Sequence, residues 1–134
     1  MSHLIHLQNK LINKSEILLA VYDSDNKEYD LQIVTKQGDI FTILASNEQE
    51  RQNIIFTLES QATHTDSCDL FLINPGDYIN LKQITAFSVI KDKNQYIGQV
   101  DWKDIRTLPK TFVLENIHSE EDVQALLNTI RSRN

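Results

Sequence analysis

Apolar residues recur along this chain in two rhythms, at every second position and at every third or fourth, and the rhythms alternate. Residues 2–13 set Leu4, Leu7 and Leu11 at helical spacing, with Ile5 and Ile12 beside them and Ser2 placed to cap. That pattern predicts a short amphipathic helix, with a strand-like arm as the alternative. Ile17–Tyr22 is apolar and partly β-branched, as a buried strand is, and residues 23–27 are turn formers. Residues 29–35 predict a second strand with Leu31 and Ile33 on one face. Gln37-Gly38-Asp39 makes a tight turn, and residues 40–44 make a third strand. A helix follows over 47–62. Ser46 with Gln49, or Asn47 with Glu50, fits a capping box, and Ile54, Ile55, Leu58 and Ala62 share a face.

The second half repeats the alternation. Residues 70–73 read as a buried strand, Asn74-Pro75-Gly76-Asp77 as a turn, and residues 78–81 as extended chain. Residues 84–90 and 96–102 are strands around a turn at 91–95, the second with Tyr96, Val100 and Trp102 on one face. A loop holding Pro109 leads to a last strand over 111–115. Ser119, with Asp122 three residues on, caps a helix over 119–132 whose buried stripe is Val123, Leu126, Leu127 and Ile130. The fold class that follows is α+β: antiparallel sheets from two βββα units, in a single domain of 134 residues. The two units could pack sheet on sheet or share one sheet.

The two units also align residue by residue. With Ile17 laid on Ile84, Asp25 falls on Asp92, Tyr29 on Tyr96, Gln32 on Gln99 and Ile33 on Val100. After a longer loop Phe41 falls on Phe112, and in the helices Ile54 falls on Leu126, Thr57 on Thr129 and Ser60 on Ser132. An internal repeat over about 15–62 and 82–133 is one explanation. The other is chance, because core positions recur with any amphipathic period.

Composition narrows the class of molecule. Forty per cent of residues are hydrophobic and 24% charged, with three Gly and two Pro, which is globular and not linker-like. The net charge is −6, unevenly spread: residues 1–81 carry five basic and twelve acidic side chains, residues 82–110 six basic and three acidic. Such a balance gives no chain-wide footprint for nucleic acid. Cys68 is the one cysteine, so no intrachain disulfide forms, in keeping with a reducing compartment. The N-terminal residues lack the charge and apolar core of a signal peptide, and the longest apolar run, Ile17–Tyr22, is too short to span a bilayer. The expectation is a cytoplasmic protein without a membrane span.

The stretch Tyr78-Ile79-Asn80-Leu81-Lys82-Gln83-Ile84, continued by Thr111-Phe112-Val113-Leu114 and the helix from Ser119 to Arg133, resembles bacterial pleckstrin-homology-like domains. The likeness covers about half the chain. It implies a PH-like barrel or sandwich and a scaffold that binds proteins or ligands without catalysis. The helix over 47–62 departs from that family, whose barrel is built from strands until the final helix.

Candidate chemistry is sparse. His64, Asp66, Cys68 and Asp69 are ligand types suited to zinc, but a zinc site draws on two separated pairs and this is one loose group, so a surface linker is the preferred reading. Cys68 with His64 or His118 as base would make a nucleophile, against the commoner fate of a lone Cys as a small buried side chain. His3 and His6 fall on the N-terminal arm. Gly38, Gly76 and Gly98 are isolated and form no phosphate loop. No cofactor is called for. The most suggestive surface is the basic and aromatic segment with Lys91, Lys93, Tyr96, Trp102, Lys103 and Arg106, followed by Lys110. Tyr96 and Trp102 also fit a core role with solvated lysines around them.

The functional expectation is a non-enzymatic protein-interaction module, such as an acidic inhibitor or adaptor, with a protein partner and a homodimer compatible with its edge strands. A nucleic-acid binder using 82–110 would show steep salt dependence. A small enzyme with a cleft between the halves would show a deep pocket with converging polar groups.

Overall fold

The computed structural model describes residues 3–25, 28–103 and 110–133. Strands β1 (Leu4–Leu7) and β2 (Lys10–Asn13) pair antiparallel as a hairpin, where the leucine spacing had predicted a helix over 2–13. The operative period is two: Ile5, Leu7 and Ile12 are buried, while Leu4 and Leu11, members of the helical triplet, are 40% and 64% exposed. The turn is made by Gln8 and Asn9, with Gln8 at φ 53°. A 3₁₀ turn (Lys14–Glu16) leads into β3 (Ile17–Tyr22), β4 (Leu31–Thr35) and β5 (Ile40–Ile43), the meander that the sequence predicts. Helix α1 (Glu48–Ala62) buries Ile54, Ile55, Leu58 and Ala62. A second hairpin, β6 (Leu70–Asn74) with β7 (Asp77–Asn80), ends in another 3₁₀ turn (Leu81–Gln83).

Antiparallel pairing gives the order β5-β4-β3-β7-β6, so the second hairpin lies along the outer edge of β3. These elements form one compact unit, Met1–Gln83. Its core is a continuous cluster that includes Ile5, Ile17, Ala20, Leu31, Ile33 and Leu58, each at most 0% exposed. Withdrawing one of these Ile or Leu side chains from water stabilises by roughly 1.5–3 kcal/mol.

The second unit, Ile84–Asn134, holds β8 (Ile84–Asp92), β9 (Gln95–Trp102), β10 (Lys110–Val113) and α2 (Glu120–Ser132), with sheet order β10-β9-β8. Of the predicted stripe on α2, Val123 and Ile130 are buried and Leu126 and Leu127 are half-buried. Among the described residues the sheets have two, three and five strands and none closes into a barrel. The molecule is α+β, as expected.

The order hairpin, 3₁₀ turn, three strands, helix thus occurs twice. The registers agree as well. β3 pairs β4 with Ile17 opposite Thr35, a bulge, then Leu19 opposite Val34. β8 pairs β9 with Ile84 opposite Trp102, a bulge, then Ala86 opposite Asp101. The shift that carries Ile17 onto Ile84 carries every pair of the first ladder onto a pair of the second, the bulge included. The last strands match differently from the sequence alignment. Leu31 is opposite Ile43 and its counterpart Gly98 is opposite Phe112, so Phe112 stands where Ile43 does and not where Phe41 does. A shared Phe had suggested the other alignment, but the pairing follows the ladder and not the residue type.

The helix starts are alike too. Asn47 Oδ1 accepts the Glu50 N–H at 2.9 Å, and the Glu50 carboxylate accepts the Ser46 N–H at 2.7 Å. Ser119 Oγ accepts the Asp122 N–H at 3.2 Å, and the Asp122 carboxylate accepts the His118 N–H at 2.9 Å. Both are capping boxes whose carboxylate reaches one residue further back than the usual partner. Further along, Thr57 and Thr129 hydroxyls donate to Asn53 and Ala125 carbonyls, and Ser60 and Ser132 donate to Thr57 and Thr129.

Candidate interaction surface

The segment singled out in the sequence is built on the β8–β9 hairpin. Asp92 is opposite Gln95, so the turn has two central residues, Lys93 and Asn94, and Lys93 takes φ 57°. That backbone suits Gly better than Lys, and it projects the Lys93 side chain at the tip. Lys91 and Lys93 are exposed. Tyr96 is 6% exposed, on the inward face with Val100, and Lys91 Nζ lies 5.7 Å from its ring centre, directly across the strands. The lysine thus covers an aromatic ring at the rim of the core. Trp102 is half-buried opposite Ile84, and Lys103 is exposed just past β9. Lys110 Nζ likewise lies 5.6 Å from the ring centre of Phe112, two residues along its own strand. Arg106 and Pro109 lie outside the described residues.

The outer edge of β8 was not singled out in the sequence. It is the edge that β3 covers with β7, and among the described residues no strand pairs with it. Ala86, Ser88 and Ile90 alternate along one face of it and are exposed, Ile90 to 50%. Edges of this kind are templates for another strand unless charge or Pro blunts them, and here the charge begins only at Lys91. The signal for it lies in a repeated pattern: Ile12-Asn13 four residues before Ile17, and Ile79-Asn80 four residues before Ile84. The pattern marks two equivalent hairpins, each running into a first strand.

The asparagine of that pattern joins the second hairpin to β3. Asn80 is wholly buried; its Oδ1 accepts the Asp69 N–H at 2.9 Å and the Lys82 N–H at 3.1 Å, and its Nδ2 donates to the Ile17 carbonyl at 2.8 Å. Beside it Tyr78 donates its hydroxyl to Glu59 of α1. Burial, then the Glu59 hydrogen bond and charge, then Tyr22 raise the Tyr78 pKa.

The His64–Asp69 loop is held by hydrogen bonds from its own side chains to its backbone. Thr65 Oγ1 accepts the Cys68 N–H and donates to the Cys68 carbonyl, and Asp69 Oδ1 accepts the His64 N–H at 3.0 Å. Cys68 is wholly buried, and burial, with the adjacent Asp69 charge, pushes its thiol up to about 12 against the partial offset of Lys14. Such a thiol carries almost no thiolate at neutral pH. Among the described residues no three His, Cys, Asp or Glu side chains come together as a metal site, and no helix is long and apolar enough to cross a membrane.

Arg51, a buried residue on α1, donates to the Asp23 carbonyl at 2.6 Å and to Glu48, with its guanidinium 5.0 Å from the Tyr22 ring centre. It ties the β3–β4 loop to the helix. The hollow beside it, about 240 Å³ and lined by Tyr22, Asp23, Glu28, Asp30 and Gln32, is smaller than most small-molecule sites. No family model, curated protein or solved structure matches the chain.

Proposed function

We propose that the chain is a non-enzymatic protein-interaction module whose second unit takes up a partner strand along β8. The observation that carries this reading is the open β8 edge: nine residues of strand, an exposed Ile90, and a cationic turn at its end. A partner strand would gain main-chain hydrogen bonds along the edge and apolar contact at Ile90. The same cations are too few, and Tyr96 too buried, to stack bases along a strand of nucleic acid.

The test is recovery of proteins from native extract on the immobilised full chain, against a Ser88→Lys, Ile90→Lys variant of equal thermal stability. Both positions are exposed, so the variant retains the fold and only blunts the edge. The expected result is at least about a tenfold loss of one stoichiometric protein partner. Equal capture by both chains, or recovery of nucleic acid alone, refutes the reading.

A further inference from the structure

We propose that a second copy of this chain supplies the strand, by seating its β1–β2 hairpin on β8 as β6–β7 seats on β3; this rests on the reading of β8 as a binding edge. The two hairpins are equivalent: each runs through a 3₁₀ turn into the first strand of a three-stranded meander. Cross-strand pairs match as well, Leu4 with Asn13 in the first and Leu70 with Asn80 in the second, then His6 with Leu11 and Leu72 with Tyr78. Asn13 also plays the local part of Asn80, its Oδ1 accepting the Ser15 N–H at 3.1 Å as Asn80 accepts that of Lys82.

What differs is cover. In the second hairpin Leu70, Tyr78 and Asn80 are 2%, 4% and 0% exposed, because that face lies against the unit whose β3 it pairs with. In the first hairpin the matching face is open: Leu4 and Leu11 are 40% and 64% exposed and Asn13 is exposed. Its opposite face, with Ile5 and Ile12, already belongs to the core. Among the described residues there is therefore one hairpin without an acceptor strand and one acceptor strand, β8, without a hairpin.

The register follows from the pairing already present. β3 meets β7 with Leu19 opposite Ile79, Ala20 opposite Tyr78 and Val21 opposite Asp77. Moved by the shift that relates the two halves, this sets Ala86 opposite Ile12 of the second copy, Phe87 opposite its Leu11, and Ser88 opposite its Lys10. Its Asn13 Nδ2 then donates to the Ile84 carbonyl, as Asn80 does to that of Ile17. Leu11 gains the cover that Tyr78 has, beside the half-buried Phe87.

Sedimentation equilibrium on the purified full chain, from micromolar to millimolar, is the direct test. The expected result is self-association, weakened at least about tenfold by Leu11→Lys, a change at an exposed position that leaves the monomer folded. Register is read by mixing a Lys10→Cys chain with a Ser88→Cys chain under oxidising conditions. An interchain disulfide is expected there and not with an Ile90→Cys chain, two residues off; buried Cys68 does not compete. A monomer at all concentrations, an unaltered association constant for Leu11→Lys, or equal crosslinking at Ile90 overturns the proposal. If the purified chain is monomeric while the β8 variant still loses its extract partner, the second copy is the wrong occupant and the binding edge stands.

Discussion

Asn13 and Asn80 hold the same place in two equivalent hairpins, yet one is exposed and the other is wholly buried with three hydrogen bonds to its side-chain amide. Both cap a 3₁₀ turn; Asn80 in addition fastens its hairpin to β3. Asn80→Ala would leave two N–H groups and a carbonyl without this partner inside the protein. A loss of about 2–4 kcal/mol is expected in urea unfolding, against under about 1 kcal/mol for Asn13→Ala. Equal effects would show that the two asparagines act only on their local turns.

The two meanders fill equivalent space with exchanged sizes. Where the first has Ala20 and Leu31, the second has Phe87 and Gly98, and a Cβ on Gly98 would meet the Phe87 ring at 3.1 Å and Leu114 Cδ2 at 3.1 Å. Gly98→Leu alone overpacks the site, at about 1–3 kcal/mol, and Phe87→Ala alone leaves a void, at about 2–3 kcal/mol. The double variant restores the pairing of the first meander. Its cost is expected to fall short of the sum by about 1–2 kcal/mol in a double-mutant cycle; strict additivity would mean that the two positions do not share space.

Gly38 and Gly76 both stand at φ 87°, but their surroundings differ. A Cβ at Gly38 has nothing within 4 Å, whereas one at Gly76 would lie 2.4 Å from the Tyr22 carbonyl oxygen, next to the strand end that Gly76 itself bonds. Gly38→Ala should cost about 1 kcal/mol, the conformational penalty alone. Gly76→Ala should cost at least about 1 kcal/mol more, because backbone must move. Thermal unfolding of the two variants side by side reads the difference.

Alkaline pH should destabilise the protein in two stages. The Cys68 thiol, ordinarily at 9.0, is raised to about 12 in the fold, and Tyr78, ordinarily at 10.0, is raised as well. A raised acid keeps its proton when folded while the unfolded chain loses it, so the full stability is present below the unfolded value and falls as pH rises above it. Stability should decline from about pH 9 through Cys68 and more steeply from about pH 10 as Tyr78 joins, each at a limiting slope of roughly 1.4 kcal/mol per pH unit. Urea unfolding at stepped pH measures this. Cys68→Ala should flatten the first stage and leave the second.

The sequence displayed the βββα order because its two signals are local. Alternation in 31–35 and the capped stripes of α1 and α2 are decided within a few residues, and both helices begin where Asn47 and Ser119 mark them. The N-terminal hairpin was hidden because Leu4, Leu7 and Leu11 satisfy a helical period while only Leu7 is buried. Which face of a short segment is buried depends on distant strands that a local pattern does not record. The β8 edge was hidden for a similar reason. Its openness is visible only when β3 shows what the equivalent edge normally carries, and the lysines and aromatics at 91–110 drew attention because composition, unlike pairing, is legible residue by residue.

The second hairpin belongs by pattern with the strands that follow it and by packing with the strands that precede it, since the compact unit ends after Gln83. A cut placed where the pattern restarts, ahead of Leu70, would expose the flank of β3 and remove the anchor at the Ile17 carbonyl, so neither fragment would be a finished fold. Autonomous pieces, if the chain is divided at all, must be sought at the 3₁₀ turn before Ile84. The joint between modules is thus offset from the joint between motifs, as overlapping roof tiles cover the seams between rows.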